Sequence, residues 1–196
     1  MAPGEFIPAL EREGDMSLLD HQVIGKAVKY LADHPQLHKV AINLSAQGFS
    51  DERLVPLVKE KLERYQVDAS RIIFELTESA SLSNIGATQH IISRIGELGC
   101  EFSIDDFGTG FSTFNYLKQL PAQSVKIDGS FIVDLASNPV DLALVKAIYE
   151  VATALGKKTV AEFVENEEAL QILQQIGVTY AQGYHLGKPQ PIEKCF

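Results

Sequence analysis

The stretch "SIDDFGTGFST", Ser103–Thr113, sets two aspartates side by side at the end of an apolar run and follows them with a glycine-bracketed loop. The run "CEFSID" (Cys100–Asp105) reads as a short buried strand, and the glycines read as a sharp turn. Working outward, the same theme repeats. "KVAINLS" (Lys39–Ser45), "RIIFELT" (Arg71–Thr77), "QSVKID" (Gln123–Asp128), "KTVAEFV" (Lys158–Val164) and "TYAQGY" (Thr179–Tyr184) read as further strands. Between them lie helical patterns: Leu18–Asp33, with Leu19, Val23, Ala27 and Leu31 on one face, then Asp51–Tyr65, Ile85–Leu98, a short turn of helix near Ser112–Gln119, Asp141–Leu155 and Asn166–Ile176. Asn166 is the expected N-cap of the last of these, and Gly99, Gly156 and Gly177 are placed to end their helices. Six apolar strands alternating with helices predict an α/β protein with a parallel sheet. An open doubly wound sheet and a closed (β/α) barrel both fit this pattern. There is no GxGxxG and no GxxxxGK[ST], so the dinucleotide and P-loop versions gain no support.

Composition narrows the partners. The chain has 196 residues, 45% hydrophobic and 22% charged, which suits one globular domain with a core. Acidic residues number 26 against 17 basic ones, a net charge of −9, and no Lys/Arg cluster offers a surface to a DNA or RNA polymer. An anionic ligand at an acidic site calls for a divalent cation. No apolar run approaches the roughly 18 residues of a membrane span, and no leader-type segment is visible. Cys100 and Cys195 form no CxxC pair, so the expected setting is reducing and cytoplasmic, with a membrane anchor elsewhere in a parent protein left open.

The polar residues fall at the same end of each strand: Asn43, then Glu75 with Glu78, Asp105 with Asp106, Lys126 with Asp128, Glu162 with Glu165, and Gln182. Any one of these could be a solvated strand end or a helix cap. Six in succession point to a site, because in a (β/α) barrel such ends converge on one face. Clustered carboxylates hold protons or bind cations, and a set of Asp, Glu and Asn oxygens suits Mg²⁺, Mn²⁺ or Ca²⁺ better than Zn²⁺. The five histidines are read as ordinary surface or packing residues. Two metals in such a cluster suit hydrolysis of a phosphodiester. Lys126 could orient water, bind phosphate, or simply offset the carboxylates.

The ordered motifs "AINLSA", "FELTES", "SIDDFGTGFS", "VKIDGSFI", "VAEFVEN" and "AQGYHLGKP" resemble the EAL family, whose members are phosphodiesterases or receptors for the bacterial messenger cyclic di-GMP. The resemblance runs from "PGEFIPALE" at Pro3 to "GKPQP" near the end. It implies a (β/α)₈ TIM-barrel-like domain over residues 1–196, with two Mg²⁺ or Mn²⁺ ions at the strand C-termini. Carried over, Asn43, Glu75 and Asp105 look like ligands of one metal, and Asp105 and Asp106 serve the second. Glu162 looks like a ligand or base near that second metal, and Lys126 resembles the lysine that holds the attacking water. Gln182 and Glu165 resemble substrate-side or supporting groups, Glu78 the glutamate that braces the loop after the paired aspartates, and Asp128 falls with them. Gly108 and Gly110 read as hinges of that loop. The implied reaction opens one phosphodiester of cyclic di-GMP to linear 5′-pGpG.

The resemblance has one large departure: the Glu-Ala-Leu motif that names the family, which lies on an early strand, is not found there, and "MAPGEFIPALE" matches the segment just after it. The expectation is a partial domain with about six of eight strands, lacking a glutamate ligand and a nearby arginine, drawn from a larger GGDEF–EAL type signalling protein with sensory domains. Weak or no turnover is expected of this chain alone, and its open strand edges favour a homodimer. A non-catalytic cyclic di-GMP receptor is the alternative, and a protein-interaction barrel the third reading. A smaller departure is Phe163 in "AEFVE", where glycine is commoner in the family.

Overall fold

The computed structural model describes residues 3–82, 85–109 and 114–192, and it comprises two compact units. One is Met1–Ser103 with Gln119–Ala122; the other is Ile104–Lys118 with Gln123–Phe196. In chain order the elements are α1 (Pro3–Glu13), α2 (Met16–Asp33), β1 (Val40–Asn43), α3 (Ala46–Phe49), α4 (Leu54–Tyr65), β2 (Ile72–Thr77), α5 (Glu78–Leu82), α6 (Ile85–Glu97) and β3 (Glu101–Phe107). There follow α7 (Phe114–Gln119), β4 (Ser124–Ile127), α8 (Pro139–Ala154), β5 (Lys158–Ala161), α9 (Glu167–Ile176) and β6 (Tyr180–Ala181). The strands are hydrogen-bonded in the order β1-β2-β3-β4-β5-β6. β1 with β2, β4 with β5, and β5 with β6 pair in parallel, as the alternation of strand and helix predicts. Among the described residues no helix is long and apolar enough to cross a membrane.

In the first unit the core forms where β2 places Ile72, Phe74 and Leu76 on one face, all fully buried, with Ile73, Glu75 and Thr77 half-buried on the other. Phe74 and Phe49 both pack on Phe102 of β3, at ring-centroid distances of 5.6 and 6.2 Å. Each fully buried aliphatic or aromatic side chain of this kind stabilises the fold by about 1.5–3 kcal/mol.

The buried stripe of α2 differs from the expected one. Met16, Asp20, Ile24, Val28 and Leu31 are buried, while Leu18 and Val23 are exposed. Neighbouring residues lie about 100° apart around a helix, and two adjacent stripes of α2 are apolar. The stripe that wins carries Ile24 and Val28, and it accommodates one carboxylate. α4 starts at Leu54 rather than Asp51 because Asp51 is spent on Arg53, whose backbone N–H and Nε both donate to Asp51 Oδ1 at 2.9 Å. Pro56 then sits in the first turn, where a missing N–H breaks no helical bond.

In the second unit Val125, Ile127, Ala161 and Val164 belong to the buried apolar set, together with Val145, Ile148 and Ala152 of α8 and Leu173 of α9. Asn138 caps α8 by accepting from the Val140 and Asp141 N–H groups at 2.9 and 3.4 Å, with Pro139 at the first helical position. Asn166 caps α9 as expected, accepting from Ala169 N–H at 2.8 Å, and Gly177 ends it in the left-handed conformation, φ 99°.

Candidate functional site

The site in the second unit is built around a lysine that burial would forbid without partners. Lys126 in β4 is only 5% exposed. Its Nζ donates to Asp105 Oδ1 at 2.8 Å and to Glu162 Oε1 at 2.9 Å. Gln182 Nε2 donates to the same Glu162 oxygen at 2.7 Å. The backbone fixes that glutamine from both sides: Gln182 N–H donates to Ala161 C=O at 2.8 Å, and Val164 N–H donates to Gln182 C=O at 3.0 Å. Asp105 and Glu162 are buried and Asp106 is half-buried. Asp106 N–H donates to Asp105 Oδ1 at 3.1 Å.

Burial pushes the Glu162 carboxyl above its ordinary value; the hydrogen bond and charge of Lys126 pull it back, and Asp105 and Asp106 push it up again. One oxygen each from Asp105, Asp106 and Glu162 lie within 4.8 Å of one another. Three carboxylates against a single lysine leave the cluster net negative, so an all-oxygen donor set with surplus negative charge fits a hard divalent cation such as Mg²⁺ or Mn²⁺.

Strand β3 runs two residues beyond the expected end, so Asp105 and Asp106 both lie within it. Asp106 has φ 54°, left-handed backbone that is uncommon for a residue other than glycine. Phe163, directly after Glu162, has φ 51°. Both strained residues adjoin the cluster, as expected where a functional geometry is imposed on the backbone.

In the first unit, Asn43 ends β1 in register with Glu75 of β2. Leu44 N–H donates to Glu75 C=O at 2.9 Å. Asn43 is exposed and Glu75 half-buried. Glu78 opens α5 and is 1% exposed; its carbonyl accepts from Ser81 Oγ at 2.7 Å. Asp20, which sequence reasoning missed, is 4% exposed and accepts from Ser45 Oγ at 2.5 Å and Ser45 N–H at 3.2 Å. Burial pushes its carboxyl up, opposed by the bonds from Ser45. The available signal was an aspartate four residues from Met16 and from Ile24 on an apolar helix.

The remaining expected residues fall elsewhere. Asp128 is a cap: it accepts from Ser130 N–H at 2.9 Å and from the Ser130 hydroxyl, closing a 3₁₀ turn at Gly129–Phe131. Glu165 is exposed and lines a cavity of about 670 Å³ with Phe163, Gln182, Tyr184, Lys188 and Gln190. Gly108 has φ 107°, and a Cβ there would lie 2.7 Å from the Phe131 ring, so glycine is required for both conformation and space. Gly110 lies outside the described residues. His34 and His38 stand four apart, but His34 stacks on Tyr30 with centroids 3.9 Å apart and His38 is exposed. Among the described residues the only cluster with metal-holding spacing is Asp105, Asp106 and Glu162.

Fold and site together define an α/β protein whose parallel strands deliver an acidic, cation-fitting cluster braced by a buried lysine. The chain belongs to the EAL domain family, whose profile matches residues 1–189. It is 40% identical over 195 residues to the cyclic di-GMP phosphodiesterase PdeB of Shewanella oneidensis, covering 98% of this chain and 23% of PdeB. It is 37% identical over 199 residues to MucR of Pseudomonas aeruginosa, a bifunctional diguanylate cyclase/cyclic di-GMP phosphodiesterase, covering 99% of this chain and 29% of MucR. The chain thus spans about a quarter of the length of the curated relatives it matches. A solved structure of the PaMucR phosphodiesterase in complex with c-di-GMP superposes with a TM-score of 0.94 at 36% identity, covering 100% of this chain and 81% of that one. The fold class is therefore the α/β, TIM-barrel-like fold of EAL domains, with six strands among the described residues.

Proposed function

We propose that this domain serves metal-dependent hydrolysis of cyclic di-GMP to linear 5′-pGpG. The observation that carries the reading is Lys126 bridging Asp105 and Glu162, with Gln182 on the same Glu162 oxygen and Asp106 completing a three-carboxylate cluster. A purely structural lysine needs one acid; this cluster holds two further carboxylates, whose charge a bound cation would offset. Membership of the EAL family and the phosphodiesterase names of its relatives support the same reading.

Asp105, Asp106 and Glu162 would hold Mg²⁺ or Mn²⁺, and Asn43 and Glu75 are assigned as further oxygen ligands on the family resemblance. When bound, the ions supply a water of lowered pKa and charge stabilisation at the phosphoryl oxygens. Lys126 keeps Asp105 and Glu162 in fixed positions and places an ammonium group where water or a phosphate oxygen is to be oriented. Glu162, held by Lys126 and Gln182, serves as ligand or as acceptor of the water's proton. The cavity walled by Phe163 and Tyr184 gives flat apolar surface for a nucleobase, contacts that need no metal. That favours binding without turnover as the second reading.

Chromatography of the chain, and of a version extended at its N-terminus, after incubation with cyclic di-GMP and Mn²⁺ tests both readings. Mn²⁺-dependent appearance of pGpG is expected from the extended version and is lost there in Asp105→Ala. Absence of product with calorimetric binding that survives EDTA would replace the hydrolase by the receptor, and absence of both would remove the nucleotide altogether.

A further inference from the structure

We propose that Asp20, a buried carboxylate on α2, is a positioning residue that fixes the strand exit carrying Asn43. The inference rests on the assignment of Asn43 as a metal ligand. Asp20 lies 25 residues from Ser45 in sequence yet takes both of its donors, the hydroxyl at 2.5 Å and the N–H at 3.2 Å. Ser45 is two residues past Asn43. Its Oγ donates to Asp20 and accepts from Gly48 N–H at 2.9 Å, so one side chain ties α2, the exit of β1 and the turn of α3 together.

Gly48 supplies an independent observation. A Cβ at this position would lie 1.8 Å from Asp20 Oδ2, and its φ is not in the left-handed region. The missing side chain therefore makes room for the carboxylate rather than for an unusual backbone. On the other side, Leu44 N–H donates to Glu75 C=O at 2.9 Å. Asn43 is thus held between a β-ladder behind it and the Asp20–Ser45 clamp ahead of it. An exposed asparagine at the end of a four-residue strand has nothing else in this unit, among the contacts described above, to set its direction. A neutral amide is a weak ligand, and weak ligands depend most on being held in place before the ion arrives.

The test is Mn²⁺ affinity by calorimetry on the chain and its variants, with unfolding temperature measured separately. Asn43→Ala should weaken binding. Asp20→Ala should weaken it about 10-fold, the low end for groups that orient ligands. Asp20→Asn, which keeps one acceptor for Ser45, should stay within about 2-fold. Combined with Asn43→Ala, Asp20→Ala should add no further loss, because its effect passes through Asn43. A merely structural Asp20 lowers the unfolding temperature and leaves the Mn²⁺ constant unchanged, and that result overturns the proposal; so does a full additive loss in the double variant. Should Asp20→Ala fail to fold, Ser45→Ala carries the test, and unchanged affinity there is equally fatal. If Asn43→Ala itself leaves affinity unaltered, the ligand assignment falls and takes this inference with it. A loss in Asn43→Ala but none in Asp20→Ala leaves the ligand assignment standing and removes only the role of Asp20.

Discussion

Replacing Lys126 with methionine isolates the electrostatic logic of the site. The side chains of Lys126, Asp105 and Glu162 are 6%, 12% and 7% exposed, and the two ion pairs span 2.8 and 2.9 Å. Methionine keeps most of the aliphatic volume, so packing changes little while two carboxylates lose their shared cation. Removing one partner of a buried pair costs about 3–5 kcal/mol, against about 5–15 kcal/mol for the stability of a whole domain. The loss depends on pH. Glu162 already has a raised carboxyl in the folded chain, so its contribution is present below the ordinary carboxylate value and is lost as pH rises through the folded one. Lys126 supplies the largest opposing effects, and without it the carboxyl rises further. Lys126→Met should therefore match the unaltered chain near about pH 4 and fall behind by about 3–5 kcal/mol toward about pH 8. Urea unfolding across that range reads the difference, and millimolar Mn²⁺ should recover part of it by restoring positive charge. Equal stability at every pH, or a deficit of the same size at every pH, would refute the assignment of Lys126 as the charge that holds the cluster together.

Phe163→Gly should leave stability within about 1 kcal/mol, because relief of a φ of 51° offsets the loss of a ring that is 57% exposed and packs over Gly129. The same variant should weaken cyclic di-GMP binding, since the cavity loses an aromatic wall worth about 1–3 kcal/mol to a stacked base; equal affinity by calorimetry would exclude Phe163 from the nucleotide. Cys100 is 3% exposed and burial pushes its thiol up to about 12, so iodoacetamide should label it only after denaturation. Mass spectrometry showing fast labelling of Cys100 in the folded chain would mean that the end of α6 and the start of β3 open readily.

Much of the fold was legible because strand and helix alternate and because helix ends here use ordinary chemistry, as at Asn166 and Gly177. The carboxylate cluster was legible for a similar reason: strand ends in a parallel sheet point the same way, so Asp105, Lys126 and Glu162 could be grouped without knowing a distance. The misses have specific causes. On α2 two neighbouring stripes are apolar, and periodicity alone cannot choose between Val23 and Ile24. Asp128 was read with the site because it follows Lys126, yet an aspartate two residues before a serine also caps a turn, and here Ser130 takes it. Asp20 was missed because its partner lies 25 residues away, and no local pattern reports a hydrogen bond across that separation. The aromatic cavity depends on how residues 182–190 return over Phe163, which is a property of the folded loop alone.

The paired aspartates show why local strain belongs to the chemistry. In a regular strand successive side chains face opposite sides, so Asp105 and Asp106 could not both reach one cluster. The left-handed backbone at Asp106, φ 54°, breaks that alternation inside β3. With it broken, oxygens of both aspartates come within 4.8 Å of each other and of Glu162. Aspartate tolerates this conformation better than most residues, though the left-handed region still costs it about 1–2 kcal/mol relative to the right-handed one. Thr109 Oγ, donating to Asp106 C=O at 3.0 Å, and Asp106 N–H, donating back to Asp105, hold the turn on both sides. A glycine would relax the backbone there but bring no carboxylate, while an aspartate in ordinary strand geometry would point its carboxylate away. The chain uses the one kind of residue that satisfies both demands, which is the physical reason for two like charges standing side by side where a buried strand ends.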